Sequence, residues 1–323
     1  MPAFASSLDI GGGPSRLAVV GAASSIGIRP YEDSGEARRL DLAAGVLREL
    51  GLLEQLAADD LGDIVAPPYV DYAFPPGGIR NEAGLVEFSE RLADRVAAAL
   101  QGGRFPLVLG GDCSVLLGSL LAVSRCTRPV GLAYLDAHAD FVLAGKSLTG
   151  SAAGMALALA VGRGDTPLAR LSGRTPLVRG TDVVLIGRRD ESDPAGLKAL
   201  TSSGVFDIPG DALRTRGPVA TADAALRRLA RDGLRGFWVH FDADLLDPSV
   251  LPAVDSPEPG GPGLHVVTTL LTTIVTHPRA LGMQVTIYDP ALDPDRSSGR
   301  QLVALLREVL ARRLAATDTW RNR

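Results

Sequence analysis

Three short segments hold residues whose types and spacing could do chemistry: Gly110-Gly111-Asp112-Cys113-Ser114, Asp136-Ala137-His138-Ala139-Asp140 and Asp242-Ala243-Asp244. Each follows an apolar run, Pro106–Leu109, Val130–Leu135 and Gly236–Phe241 in turn. Residues two apart on extended backbone point to the same side. Asp136, His138 and Asp140 can therefore converge, and so can Asp242 and Asp244. Carboxylates crowded at one edge repel one another strongly unless a counter-charge joins them. Divalent cations relieve that repulsion. Carboxylates with one imidazole are hard-to-borderline ligands, suited to Mn²⁺ and, less exclusively, to Fe²⁺, Co²⁺, Ni²⁺ or Zn²⁺. Shared carboxylates would hold two ions about 3.5–4 Å apart and activate a water between them. A single Asp-x-Asp after a strand is more often a helix cap or a surface turn. Two acidic motifs, each at a strand end, point to a dinuclear metal site.

These segments meet only if the runs before them lie side by side. Strand-like runs fall at Arg16–Val20, Pro106–Leu109, Val130–Leu135, Val183–Ile186, Gly204–Ile208, Gly236–Phe241 and Gly282–Tyr288. Most are apolar throughout, as strands covered on both faces should be. Helical spacing recurs between them, over Glu36–Gln55, Asn81–Leu100, Ser114–Val123, Thr221–Ala230, Val266–Val275 and Gln301–Leu314. Strand–helix alternation along the whole chain predicts a doubly wound α/β sheet, mostly parallel. Ligands of such sheets sit in the crevice at the carboxyl ends of the strands, where the three segments fall. No internal repeat or low-complexity linker breaks the 323 residues, so one domain spanning 1–323 is expected. The Pro/Gly-rich pieces Pro67–Ile79 and Ser256–Leu264 read as site loops.

Composition narrows the function. Hydrophobic residues make up 46% and charged residues 22%, as in ordinary globular proteins. The formal net charge of −4 lacks the basic excess of a general nucleic-acid binder. Cys113 and Cys126 are the only cysteines, too few for a disulfide framework, which favours a reducing, cytoplasmic setting. The opening MPAFASSLDIGGG does not read as a signal peptide. The apolar stretch Met155–Val161 falls far short of the roughly 20 residues that span a bilayer. Gly11-Gly12-Gly13 precedes the first strand, whereas a nucleotide phosphate loop should follow it.

GGDCS, LDAHAD and HFDADLLDPSVLPAVDSPEPGG together resemble the motifs of the ureohydrolase family, which comprises arginases, agmatinases, formiminoglutamases and relatives. The resemblance runs in order from about Gly110 to Pro290. It implies a three-layer α/β/α fold with an eight-stranded parallel sheet, two Mn²⁺ ions, hydrolysis of a C–N bond at an amidine-type carbon, and trimers or hexamers. By resemblance, Asp136 and Asp242 are the bridging carboxylates, and His138 and Asp244 are ligands of one ion. Asp140 is a ligand of the other and the catalytic carboxylate that orients the nucleophile and takes its proton.

Three positions depart from the family pattern. The first-motif ligand, usually His, is Cys113. It is either a small buried thiol with the metal position lost or a thiolate ligand, and family members that cleave hydroxyarginine look similar here. As a ligand it would bring Ni, Co or Zn into contention beside Mn. The next family histidine is absent from Ser151-Ala152-Ala153-Gly154-Met155. His240, on the same side of its strand as Asp242, is either a partner of the site or a satisfied core residue. The family's guanidinium-binding glutamate falls at Ile287, leaving Asp255 and Glu258 as the nearest replacement acids. Asp190 matches a family position near the substrate mouth, and Ser192 stands where the family's next acid is expected. The expectation is a metal-dependent C–N hydrolase of a small guanidine- or amidine-type substrate, not a plain arginase. A deacylase-like amide hydrolase and a degenerate, non-catalytic member are the alternatives.

Overall fold

The computed structural model describes residues 16–72, 77–190 and 193–321. Its strands are β1 (Arg16–Ala23), β2 (Asp59–Val65), β3 (Arg104–Leu109), β4 (Gly131–Leu135), β5 (Val183–Ile186), β6 (Phe206–Ile208), β7 (Phe237–Asp242) and β8 (Ala280–Thr286). They form one eight-stranded sheet in the order β2-β1-β3-β8-β7-β4-β5-β6, and every pairing is parallel. The helices are α1 (Ala43–Glu49), α2 (Leu52–Leu56), α3 (Glu82–Gln101), α4 (Val115–Cys126), α5 (Ala156–Ala160), α6 (Pro194–Thr201), α7 (Gly210–Arg216), α8 (Pro218–Leu229), α9 (Leu264–Val275) and α10 (Ser297–Arg321). Two apolar layers cover the sheet. One packs α3, α4 and α5 on residues such as Val20, Val108, Leu132 and Trp238. The other packs α1, α2, α8, α9 and α10 on Val19, Leu107, Ala133 and Val239. This is the expected three-layer α/β/α architecture. Among the described residues no helix is long and apolar enough to cross a membrane.

Each strand-like run of the sequence falls on a strand, and β2 has no apolar run to betray it. Its sequence Asp-Asp-Leu-Gly-Asp-Ile-Val buries only Ile64, because it is an edge strand paired with β1 alone. Acidic residues on such an edge discourage pairing with other chains. The helix expected over Glu36–Gln55 is broken. Residues before Leu40 form a loop that carries Arg38, and Gly51 interrupts the helix at φ 83°, a backbone setting glycine adopts without strain.

Strand register is what assembles the site. Leu135 of β4 pairs with Phe241 of β7, and Phe241 with Val285 of β8. Asp136 and Asp242 therefore leave the sheet side by side, and Asp242 pairs with Thr286. The Gly110 amide extends the pattern to β3's end by donating to Val285 O at 2.9 Å. Beneath this rank, on the same face, Tyr134, His240 and Gln284 are lateral neighbours. Below them Trp238 lies across Gly282, where a Cβ would collide with the indole. Gly282→Ala is thus an overpacking change, expected to cost about 1–3 kcal/mol as a lowered urea midpoint. An unchanged midpoint would show that Trp238 is free to move aside.

Candidate metal centre

Three acids, two imidazoles and a thiol meet at the ends of β3, β4 and β7. Asp242 is fully buried, and its Oδ2 accepts from the Cys113 thiol at 2.9 Å and the Thr286 hydroxyl at 3.0 Å. Its Oδ1 accepts from the Asp244 amide at 2.9 Å. Asp244 in turn accepts from the Ala137 amide at 3.2 Å and from His138 Nδ1 at 2.9 Å. Asp136 Oδ1 accepts from the His138 amide at 2.6 Å, while its Oδ2 is buried with no hydrogen-bond partner. Two groups of ligand atoms result, each with all atoms within 4.8 Å of one another: Cys113, Asp136, His240 and Asp242, and Asp136, His138 and Asp244. Asp136 belongs to both. An orphaned buried carboxylate oxygen common to two ligand groups fits a pair of divalent cations.

The electrostatics agree. Burial and the neighbouring acids Asp136 and Asp242 hold Asp140 and Asp244 well above the usual carboxylate range. Burial, then Asp136, push Asp242 up to about 6. Burial, then Asp140, Asp242 and Asp136, push the Cys113 thiol up as well. Burial would raise Asp136 too, but the His138 and His240 imidazoles beside it outweigh that and hold its carboxyl low. His138 responds in mirror image: burial opposes its proton, and Asp136 and Asp244 overcome burial and raise it. The crowded acids thus share protons until cations replace them.

The sequence-derived residues divide as follows. Cys113, Asp136, His138, Asp242 and Asp244 come together. Asp140 is in neither group; it stands on the cavity wall with Tyr134's hydroxyl donating to its Oδ2 at 2.5 Å. The cavity beside the groups measures about 180 Å³ and is lined by Asp140, Asp190, Asp193, Asp255, Ser256 and Ile287, among others. Asp140, Ser256 and Ile287 have φ of 44°, 51° and 70°. A β-branched residue in that region is strained, and such strain collects at functional sites. Asp255 lies beside Ile287, its amide donating to Ile287 O at 3.2 Å. Its carboxylate, however, is already ion-paired with Arg38. Arg38 also donates to Arg29 O and lies 4.2 Å over the Tyr31 ring.

Asp190 lines the cavity, its Oδ1 without a hydrogen bond but ion-paired with Arg188 at 3.7 Å. Glu258 does not line it, and Arg189 binds its backbone carbonyl at 2.9 Å. Ser192 lies outside the described residues. Asp193 was missed by the sequence reading. It lines the cavity, and its Oδ1 caps α6 by accepting from the Ala195 amide at 3.1 Å, leaving Oδ2 unpartnered. The Asp-Pro pair at a helix start was the available signal. No imidazole stands at Ser151–Met155, whose Ala153 and Gly154 line the wall.

A parallel sheet whose adjacent strand ends offer ligands for two cations defines the class: an α/β protein with a dinuclear-type ligand set. The chain belongs to the arginase family, whose profile matches residues 29–311. An arginase of Brevibacillus brevis is 29% identical over 297 residues, covering 90% of this chain and 98% of that one. The solved arginase of Bacillus caldovelox superposes with a TM-score of 0.83 at 26% identity, covering 92% of this chain and 98% of the other. The formimidoylglutamase of Bacillus subtilis shares the fold at a TM-score of 0.72 and 20% identity, covering 93% and 87% of the two chains.

A proton count tests the electrostatics. Groups with raised pKa values hold protons in the metal-free protein, and cation ligation requires their release. Loading with Mn²⁺ or Zn²⁺ at pH 7 should release more than one proton per subunit, measured by calorimetry in buffers of different ionisation enthalpy. Apparent affinity should rise as pH climbs through about 6, the Asp242 value. Loading without proton release would contradict the shared-proton picture.

Proposed function

We propose that this protein is a dinuclear metal-dependent hydrolase that cleaves a C–N bond of a small guanidine- or amidine-type substrate, in a single arginase-like domain spanning 1–323. The observation that carries the reading is Asp136's place in both ligand groups in a chain of the arginase family. Cys113, Asp136, His138, Asp140, Asp242 and Asp244 would hold the cations. Mn²⁺ is favoured by the family, and Ni²⁺, Co²⁺ or Zn²⁺ by the thiol. When bound, the ions supply Lewis acidity and an activated water. Asp140 then manages the proton. Tyr134 occupies its Oδ2, leaving Oδ1 to accept. The family resemblance extends the proposal to a cytoplasmic homo-oligomer.

Charge at the cavity wall argues against L-arginine as the substrate. A guanidinium is charged at any working pH, and burying it without a carboxylate is costly. Ile287 provides none, and Asp255 is neutralised by Arg38. The reacting end of the substrate is therefore a guanidine- or amidine-type group of lowered basicity, largely unprotonated at the working pH. Asp193, whose Oδ2 has no partner, suits an N–H donor at its other end, beside Asp190, which is paired with Arg188 at 3.7 Å.

The deciding experiment assays urea, ammonia and amine release from guanidines, amidines and amides, using Mn-, Ni-, Co- and Zn-loaded protein. Turnover of a guanidine- or amidine-type compound of lowered basicity supports the proposal. Inactivity toward every compound tested would favour a non-catalytic member. Robust urea release from L-arginine, with a KM in the ordinary enzyme range, would overturn the substrate argument. Arg38→Ala frees Asp255 and should lower the KM for cationic guanidines by about tenfold, roughly 1.4 kcal/mol. Adding Asp255→Asn should cancel that gain, and an Arg38→Ala protein that binds cations no better would show that Asp255 does not reach the substrate.

A further inference from the structure

Directly beneath the ligand groups, and ending on the His240 of one of them, lies a buried polar chain that the proposed function does not use. Trp238, His240 and Gln284 are each fully buried, so no solvent competes for their hydrogen bonds. Trp238 Nε1 lies 2.9 Å from Gln284 Oε1. An indole N–H can only donate, so the amide oxygen must face it. The amide NH₂ then faces His240 Nδ1 at 2.9 Å. An NH₂ group only donates, so Nδ1 must accept and the ring proton must sit on Nε2. Tyr134 fixes the ring plane, stacking on it at 4.1 Å with 4° between planes, and is itself tied by its hydroxyl to Asp140. His240 Nε2 faces Asp136 Oδ2 at 3.7 Å. That interval is longer than a hydrogen bond, and neither atom has a hydrogen-bond partner.

We propose that His240 is a positioning residue, locked by the Trp238–Gln284 relay as its Nε2–H tautomer, which steadies the Asp136 carboxylate and does not itself ligate a cation. A protonated Nε2 has no lone pair for a metal. Cys113, Asp136 and Asp242 therefore remain as the ligands of the group in which His240 stands. A small rotation of the Asp136 carboxyl brings Oδ2 onto the Nε2–H while Oδ1 stays with His138. What His240 does for Asp136 rests on the function proposed above; the tautomer does not.

Nitrogen-15 NMR of histidine-labelled protein tests this directly. The chain has four histidines, and His265→Asn and His277→Gln variants remove two signals, leaving His138 and His240. Long-range proton–nitrogen correlations report which nitrogen carries the proton. The expected result is a single Nε2–H tautomer for His240 in metal-free protein, retained after loading with diamagnetic Zn²⁺, while His138 shifts on loading. Trp238→Phe keeps an aromatic ring but removes the donor that orients the amide, and should turn the single tautomer into a mixture. A His240 Nδ1–H in metal-free wild type, loss of its Nε2–H on zinc loading, or an unchanged spectrum in Trp238→Phe would each overturn the proposal. If zinc does not bind at all, the function reading fails while the metal-free spectrum still decides the tautomer.

Discussion

Repulsion among acids at the strand ends is the constraint on which the site depends. Parallel pairing sets Leu135 against Phe241, so Asp136 and Asp242 must emerge together, buried. Two like charges 4 Å apart repel by about 4 kcal/mol at an effective dielectric of 20, a large share of ordinary folding stability. The structure answers with donors. Cys113, Thr286 and the Asp244 amide serve Asp242, and His138 stands between Asp136 and Asp244. These donors leave the Asp136 Oδ2 unanswered. Cations would complete the compensation, which ties metal affinity, proton uptake and stability to one cluster.

The same accounting of charge shapes the mouth of the cavity. Asp255 stands next to Ile287, where a carboxylate would be placed to receive a cation. Arg38 reaches it from a loop anchored by Asp289, which accepts from Tyr31's hydroxyl at 2.8 Å and from the Arg39 amide at 3.1 Å. The chain thus supplies its own guanidinium to that acid. Elsewhere on the wall Asp190 is paired with Arg188 at 3.7 Å, and Asp193 keeps its Oδ2 free. Two acids of the wall, Asp255 and Asp190, are thereby compensated by arginines of the chain itself, and Asp193 is not.

Much of this was legible in the sequence because buried parallel strands write themselves as apolar runs and their ends as short polar motifs. Val183–Ile186 was located to the residue, and the ligand candidates lay at strand ends where i, i+2 spacing makes them converge. The rest depended on contacts remote in sequence. Edge strand β2 has no apolar run. Arg38 sits in a stretch of helical periodicity and meets Asp255, which is 217 positions away. Asp193 was hidden by alignment to Ser192, though a helix-opening Asp-Pro pointed to it. His240 stayed open between core and site because its role is decided by Gln284 and Trp238, whose partnership exists only once β7 and β8 are paired.

The central claim is that Asp136 is common to two cation positions. Metal content per subunit, measured by inductively coupled plasma mass spectrometry on Mn- or Zn-loaded wild-type and Asp136→Asn proteins of verified folding, tests it most directly. The account predicts two ions in the wild type and loss of most of both in Asp136→Asn. Retention of one full equivalent in the variant, or fewer than two in the loaded wild type, would contradict it.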